Sequence, residues 1–243
     1  MNLIIDIGNT LIKLAVFDGN EIVVKKNTFK NEFIKVLEEI SKNYTSIKDV
    51  IVSSVGNFSE DELSRIKKMC NLFVLTDNAK IPFKNKYATP KTLGVDRIAL
   101  VASASFQYPN KNVLIIDVGS CITYDFLSSD NDYLGGAISL GIDLRYKSLH
   151  NFTDKLPLLV PKIPSKLIGN TTESSIHIGV IQSVVLEIDG YISLYKERYK
   201  ELTIILTGGG AHYLVDSLKN DIFANSNFLL EGLNYLLEKN NKC

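Results

Sequence analysis

Apolar positions along this chain follow two rhythms, alternation in short runs and a spacing near 3.6 in longer ones, which predicts strands interleaved with helices. Leu3 to Ile7 is a buried-strand run closed by Gly8-Asn9-Thr10. Leu11 to Phe17 and Glu21 to Lys26 follow, joined across the hairpin signal Asp18-Gly19, so the chain is expected to open with a three-stranded antiparallel meander. Phe29, Phe33, Ile34, Leu37 and Ile40 recur at helical spacing, and Asp49 to Val55 reads as a Val- and Ile-rich strand. Ser59-x-x-Glu62 is a capping box, because the hydroxyl can accept a backbone N–H while the carboxylate reaches back. It predicts a helix to about Cys70. Leu72 to Leu75 reads as a strand, Asn78 to Leu93 as a loop, and Ile98 to Phe106 as a small-residue helix broken by Pro109-Asn110.

Leu-Ile-Ile-Asp-x-Gly then occurs a second time, with Leu3-Ile4-Ile5-Asp6-Ile7-Gly8 matched by Leu114-Ile115-Ile116-Asp117-Val118-Gly119, 111 positions later. Each copy is a buried strand delivering an aspartate to a glycine turn, and each is followed by another extended run, Ile122 to Leu127 in the second. This reads as an internal duplication. Tyr133 to Ser139, an amphipathic segment from Asp143 to Asn151 and a loop containing Pro157, Pro161 and Pro164 come next. A long helix from Ser174 to Tyr199, a strand from Leu202 to Leu206 ending in Thr207-Gly208-Gly209-Gly210, and a helix from Leu229 to Leu237 complete an α/β pattern.

Composition narrows the class. The chain has 243 residues, 45% of them hydrophobic, enough for one large or two modest domains with real cores. Lys and Arg total 27 and Asp and Glu total 27, so no long-range field draws the chain to nucleic acid or anionic lipid. Cys70, Cys121 and Cys243 are scattered without Cys-x-x-Cys spacing, which argues against a disulfide framework or zinc knuckle and fits a reducing cytoplasm. The N-terminal segment lacks a basic region and meets Asp6 early, so no signal peptide is expected. No apolar run approaches the ~18 residues of a membrane span.

Glycine directly after a buried strand lets backbone N–H groups approach a phosphate, and Gly8-Asn9-Thr10, Gly119-Ser120 and Gly208-Gly209-Gly210 are three such turns. If the duplicated halves face each other, the first two would line opposite walls of one cleft suited to a nucleoside triphosphate. Asp6 and Asp117 could hold hydrated Mg²⁺ or a monovalent cation beside the phosphates, and Lys13 could bring a point charge to the same anion. The bland alternative is a pair of strand-ending turns in which Asp caps a loop. There is no P-loop, no Gly-x-Gly-x-x-Gly, no Gly-x-Ser-x-Gly and no His-Glu-x-x-His. His150, His177 and His212 sit apart and read as structural or surface residues. In Gly94-Val95-Asp96-Arg97 an acid and a guanidinium are adjacent at a helix start. They suit either a dipole-favoured N-terminal Asp or a base that takes a substrate proton while Arg97 anchors an anion. Lys84, Lys86, Lys91 and Arg97 read as a solvated loop that could also attract a small acid.

Taken together, Asp6-Ile7-Gly8-Asn9-Thr10-Leu11-Ile12-Lys13, Gly94-Val95-Asp96-Arg97, Asp117-Val118-Gly119-Ser120 and Leu134-Gly135-Gly136-Ala137-Ile138 resemble the ordered motifs of type III pantothenate kinase. That family belongs to the acetate and sugar kinase, Hsp70 and actin superfamily. The resemblance runs from Asp6 to Glu231-Gly232-Leu233. It implies two duplicated ribonuclease-H-like domains, mixed sheets flanked by helices enclosing an ATP cleft, expected at 1–112 and 113–243. It also implies ATP-dependent phosphorylation of pantothenate, the entry to coenzyme A, by a cytoplasmic homodimer without nucleic-acid or membrane partners. Asp6, Ile7, Gly8, Asn9, Thr10, Leu11, Ile12 and Lys13 would hold the ATP phosphates with Mg²⁺, Ser120 would contact ATP, and Gly208 to Gly210 would back the nucleotide. Tyr87, Gly94, Val95, Asp96 and Arg97 would line the pantothenate pocket with Asp96 as base. Asp117 would bind a monovalent cation, K⁺ or NH₄⁺, and Thr172 would supply a substrate contact across the dimer. Ser120 stands where the family has Thr, Val95 where Ala is common, and Leu140 where Pro is usual; the last is expected to loosen its turn. The rivals are a kinase of another small hydroxy acid and a non-catalytic regulator of the same fold.

Overall fold

The computed structural model describes residues 1–54 and 60–241, so the Ser59 capping box and Cys243 lie outside the described residues. The chain divides into two units, Met1–Gln107 with Asn227–Cys243, and Tyr108–Ser226.

In the first unit β1 (Asn2–Ile7), β2 (Ile12–Asp18) and β3 (Glu21–Thr28) form the expected antiparallel meander. The β2–β3 hairpin turns at Gly19, whose φ of +59° lies in the left-handed region that glycine enters freely. β4 (Asp49–Ser54) and β5 (Asn71–Val74) add in parallel, giving the order β3-β2-β1-β4-β5. Parallel neighbours need a crossover, and α2 (Glu60–Met69) supplies it between β4 and β5. Leu3, Ile5, Ile7, Leu14, Val16, Val50 and Val52 form one buried face with Phe33, Leu37 and Ile40 of α1 (Phe33–Asn43) and Ile66 of α2. A two-residue strand, β6 (Lys84–Asn85), interrupts the following loop. The opposite face, carrying Asn2, Ile4 and Asp6, is covered by α3 (Val95–Gln107) and the terminal helix α7 (Phe228–Asn241). Phe106 stacks on Tyr235 with centroids 4.4 Å apart. Buried Asn234 accepts from the Asn2 amide at 2.8 Å and donates to the Gly19 carbonyl at 2.9 Å.

The second unit repeats the plan. β7 (Asn112–Val118), β8 (Cys121–Leu127) and β9 (Asp132–Leu140) are antiparallel. β10 (Leu202–Thr207) and β11 (Phe223–Ala224) add in parallel, in the order β11-β10-β7-β8-β9. These five strands of the unit repeat the order of the first sheet, so the duplication legible in six residues extends well beyond them. α4 (Ile142–Asn151) is followed by a rod in which α5 (Thr172–His177) and α6 (Ser183–Arg198) are joined through a π-helical turn at Ile178–Gln182. This rod is long and apolar enough to cross a membrane, which run length in the sequence did not register. Here Ile176, Val180, Ile181, Val184, Val185, Ile188 and Ile192 are buried in the second unit's core.

Two expectations differ from the structure. The boundary expected at 112/113 falls at 107/108, and the terminal helix belongs to the first unit because its apolar face packs on α3. The helix expected from Ile98 begins at Val95, with the Ile98 N–H already bonded to the Gly94 carbonyl at 3.1 Å, so Asp96 lies in its first turn.

Candidate active site

β1 carries Asp6 to the end of the first sheet, where it is only 5% exposed. Its register partners are Lys13 on β2 and Ser53 on β4, both on the same sheet face. Lys13 Nζ stands 3.6 Å from Asp6 Oδ2. Burial pushes the Asp6 carboxyl above its ordinary value; Lys13 opposes that shift and the Asp96 charge adds to it. The Gly8 N–H closes the turn on the Leu11 carbonyl at 3.1 Å, leaving Gly8, Asn9 and Thr10 exposed. Ile7 and Ile12, expected among the phosphate-holding residues, bury their side chains in the core. They pin the ends of the turn, and only their backbone can face a ligand.

Asp96 sits over Gly94: a Cβ on that glycine would come within 2.3 Å of Asp96 Oδ1, an oxygen that also accepts the Arg97 N–H at 2.8 Å. The carboxylate is thus oriented at the start of α3. Arg97, 5% exposed, places its guanidinium 5.6 Å from the Tyr87 ring centroid, within cation–π range. Burial removes Arg97 from the solvated lysine loop the sequence suggested. Tyr87 is held by its N–H on Asn85 Oδ1 at 2.9 Å. The Asp96 charge adds to the upward shift of the Asp6 carboxyl, so the two carboxylates lie within electrostatic reach of each other in the first unit.

In the second unit Asp117 has Thr123 and Thr207 as register partners. Gly208 adopts φ +93°, and a Cβ there would stand 2.3 Å from Asp117 Oδ1. The Gly210 N–H bonds the Val118 carbonyl at 2.9 Å, so the triple-glycine loop closes over the aspartate turn. Gly141, which sequence reasoning missed, donates its N–H to the Ser120 carbonyl at 3.1 Å. A Cβ at Gly141 would come within 2.3 Å of the Gly119 and Ser120 carbonyl oxygens. The looseness expected from Leu140 is countered by Arg145, whose Nε donates to the Leu140 carbonyl at 2.8 Å while its backbone N–H bonds that of Gly141 at 3.0 Å. Arg145 is itself ion-paired with Glu187, which accepts from the Tyr124 hydroxyl at 2.8 Å. Such charged residues on helices read as solvent-facing in sequence, which hid them.

Thr172 opens α5 after the Thr171 cap. It lines a cavity of about 980 Å³ within the second unit, together with Arg145, Leu149, Asn170, Ile176 and Val180. Among the described residues no group of three or more His, Cys, Asp or Glu could cage a metal.

Two mixed sheets with five strands in matching order, each with an Asp-x-Gly turn, make a fold that this chain shares with solved sugar kinases. The fold matches a glucokinase of Streptomyces griseus solved with glucose and AMPPNP, at TM-score 0.53 and 10% identity over 100% of this chain and 99% of that one. It also matches a Campylobacter jejuni protein described as a Baf family transcriptional activator, at TM-score 0.64 and 20% identity over 99% and 100%. The family profile described as type III pantothenate kinase matches residues 2–194. The type III pantothenate kinase of Christiangramia forsetii is 53% identical over 240 residues, 99% of each chain. This chain belongs to the type III pantothenate kinase family.

Proposed function

We propose that the protein transfers the γ-phosphoryl group of ATP to the primary hydroxyl of pantothenate, giving 4′-phosphopantothenate and ADP for coenzyme A synthesis. The observation that carries this is an Asp96 carboxylate oriented at the start of α3 in the same unit as the buried Asp6 turn with its attendant Lys13. Asp96 takes the hydroxyl proton as the new O–P bond forms and the bond to the β-phosphate oxygen breaks. Arg97 holds the pantothenate carboxylate, with Tyr87 fixing the guanidinium. The N–H groups of exposed Asn9 and Thr10, on a turn closed by the Gly8–Leu11 bond, would cradle the polyphosphate with Lys13; Ser120 contacts the nucleotide through its hydroxyl. Magnesium, when bound, would neutralise phosphate charge, with Asp6 as the carboxylate nearest to hold it. Asp117, walled by glycines and carbonyl oxygens, suits a monovalent cation.

A homodimer is supported by exposed apolar side chains on the second unit, among them Phe152, Val160, Leu167, Ile168 and Leu194, more than a lone surface usually carries. Thr172 would reach substrate across that contact. The free thiols Cys70 and Cys121 support a reducing, cytoplasmic setting. ADP release by the purified protein with ATP, Mg²⁺ and pantothenate, with and without potassium, tests the reading. Turnover that needs pantothenate and potassium is expected. A folded protein that binds ATP but turns over no pantothenate would leave another hydroxy acid or a regulatory role.

A further inference from the structure

Ser53 is wholly buried, and its hydroxyl meets no partner at full hydrogen-bonding geometry. A buried hydroxyl whose bonding is incomplete costs free energy that a state completing the bond recovers. Ser53 is the β4 register partner of Asp6, and its hydroxyl faces that carboxylate closely enough to lower its proton affinity. In the ligand-free chain the other partner of Asp6, Lys13, stands 3.6 Å away. One ammonium cannot serve the carboxylate and an incoming polyphosphate equally well. The duplicate copy keeps the arrangement, with buried Thr207 in register with Asp117 on β10.

We infer that Ser53 is a positioning residue for phosphoryl transfer, its hydroxyl closing on the Asp6 carboxylate when Lys13 turns to the polyphosphate. This rests on the reading of the Asp6–Lys13 turn as the phosphate seat. The exchange keeps Asp6 supplied with a donor, and so fixed in rotamer, in both states. A Thr at position 53 retains the donor; an Ala removes it.

The test compares wild type, Ser53→Ala and Ser53→Thr in steady-state kinetics, ATP-analogue titration and thermal unfolding. Ser53→Ala should raise KM for ATP about 5- to 20-fold, leave KM for pantothenate unchanged and leave the melting temperature without ATP close to wild type, because the hydroxyl it removes makes no fully formed bond there. Ser53→Thr should restore KM for ATP. An unchanged KM for ATP in Ser53→Ala overturns the inference. So does a lowered melting temperature with both KM values altered together, the mark of a structural role. If wild type itself shows no pantothenate turnover, the functional reading fails separately; the ATP-analogue titration of the same variants then decides the role of Ser53 by itself.

Discussion

Gly232 on α7 lies so close to Ala99 on α3 that a Cβ would come within 2.0 Å of the Ala99 carbonyl oxygen and 3.1 Å of Ser103 Cβ. Backbone cannot yield as a flexible side chain would. Gly232→Ala should therefore separate the two helices and destabilise the first unit by about 2–4 kcal/mol. Urea unfolding would measure it, and a midpoint equal to wild type would contradict the close packing.

Asp96→Asn keeps the shape of the residue and the acceptor for the Arg97 N–H but loses the basic oxygen. Turnover should fall by roughly 10²–10⁴ with the melting temperature and ATP affinity preserved. Substantial residual activity would remove Asp96 from the role of base.

Asp6 holds its proton more tightly in the folded chain than in the unfolded one, where the ordinary value is 3.8. The stability this contributes is fully present below that value and is lost as pH rises through the folded-state value. Each tenfold difference in proton affinity corresponds to about 1.4 kcal/mol. Without ligands, Asp6→Asn should thus melt higher than wild type near neutral pH and show a flatter pH profile, while losing ATP binding. A wild-type pH profile in the variant would count against this assignment.

Gly208→Ala places a methyl against Asp117 at a backbone angle of φ +93°. Strain of about 1–3 kcal/mol is expected, together with a weaker response to potassium. Assays across a potassium series, with the melting temperature alongside, would separate the two effects.

Leu167→Glu with Ile168→Glu charges two residues that are 77% and 80% exposed. Loss of a dimer in sedimentation, with the fold retained, is the expected result. An unchanged mass would move the interface to another face.

Much of this was legible in sequence because the physics is local. A buried strand ending in Asp-x-Gly announces itself, and so does the hairpin at Asp18-Gly19. The Gly94–Arg97 segment was readable as chemistry, yet Arg97 looked solvated until its helix was seen to bury it. Ser53 was hidden at the end of a Val- and Ile-rich run, where a hydroxyl reads as a strand terminus. Gly141 looked like an ordinary turn residue, since its contact with Ser120 lies far off in sequence. The apolar face of α7 was plain, but amphipathicity does not say against which sheet a helix will lie.

The place of α7 also bears on how the protein is made. The second unit is one continuous stretch, whereas the first draws Phe228, Leu230, Leu233, Leu236 and Leu237 into its buried set from the far end of the chain. During synthesis α3 can reach that sheet early, but α7, which packs on α3, β1 and β4, becomes available only after the later unit has emerged whole. The half that carries Asp6 and Asp96 can therefore complete its core only once the second unit has been synthesised. A product truncated before α7 would keep both aspartates but lack the helix that packs on α3, β1 and β4.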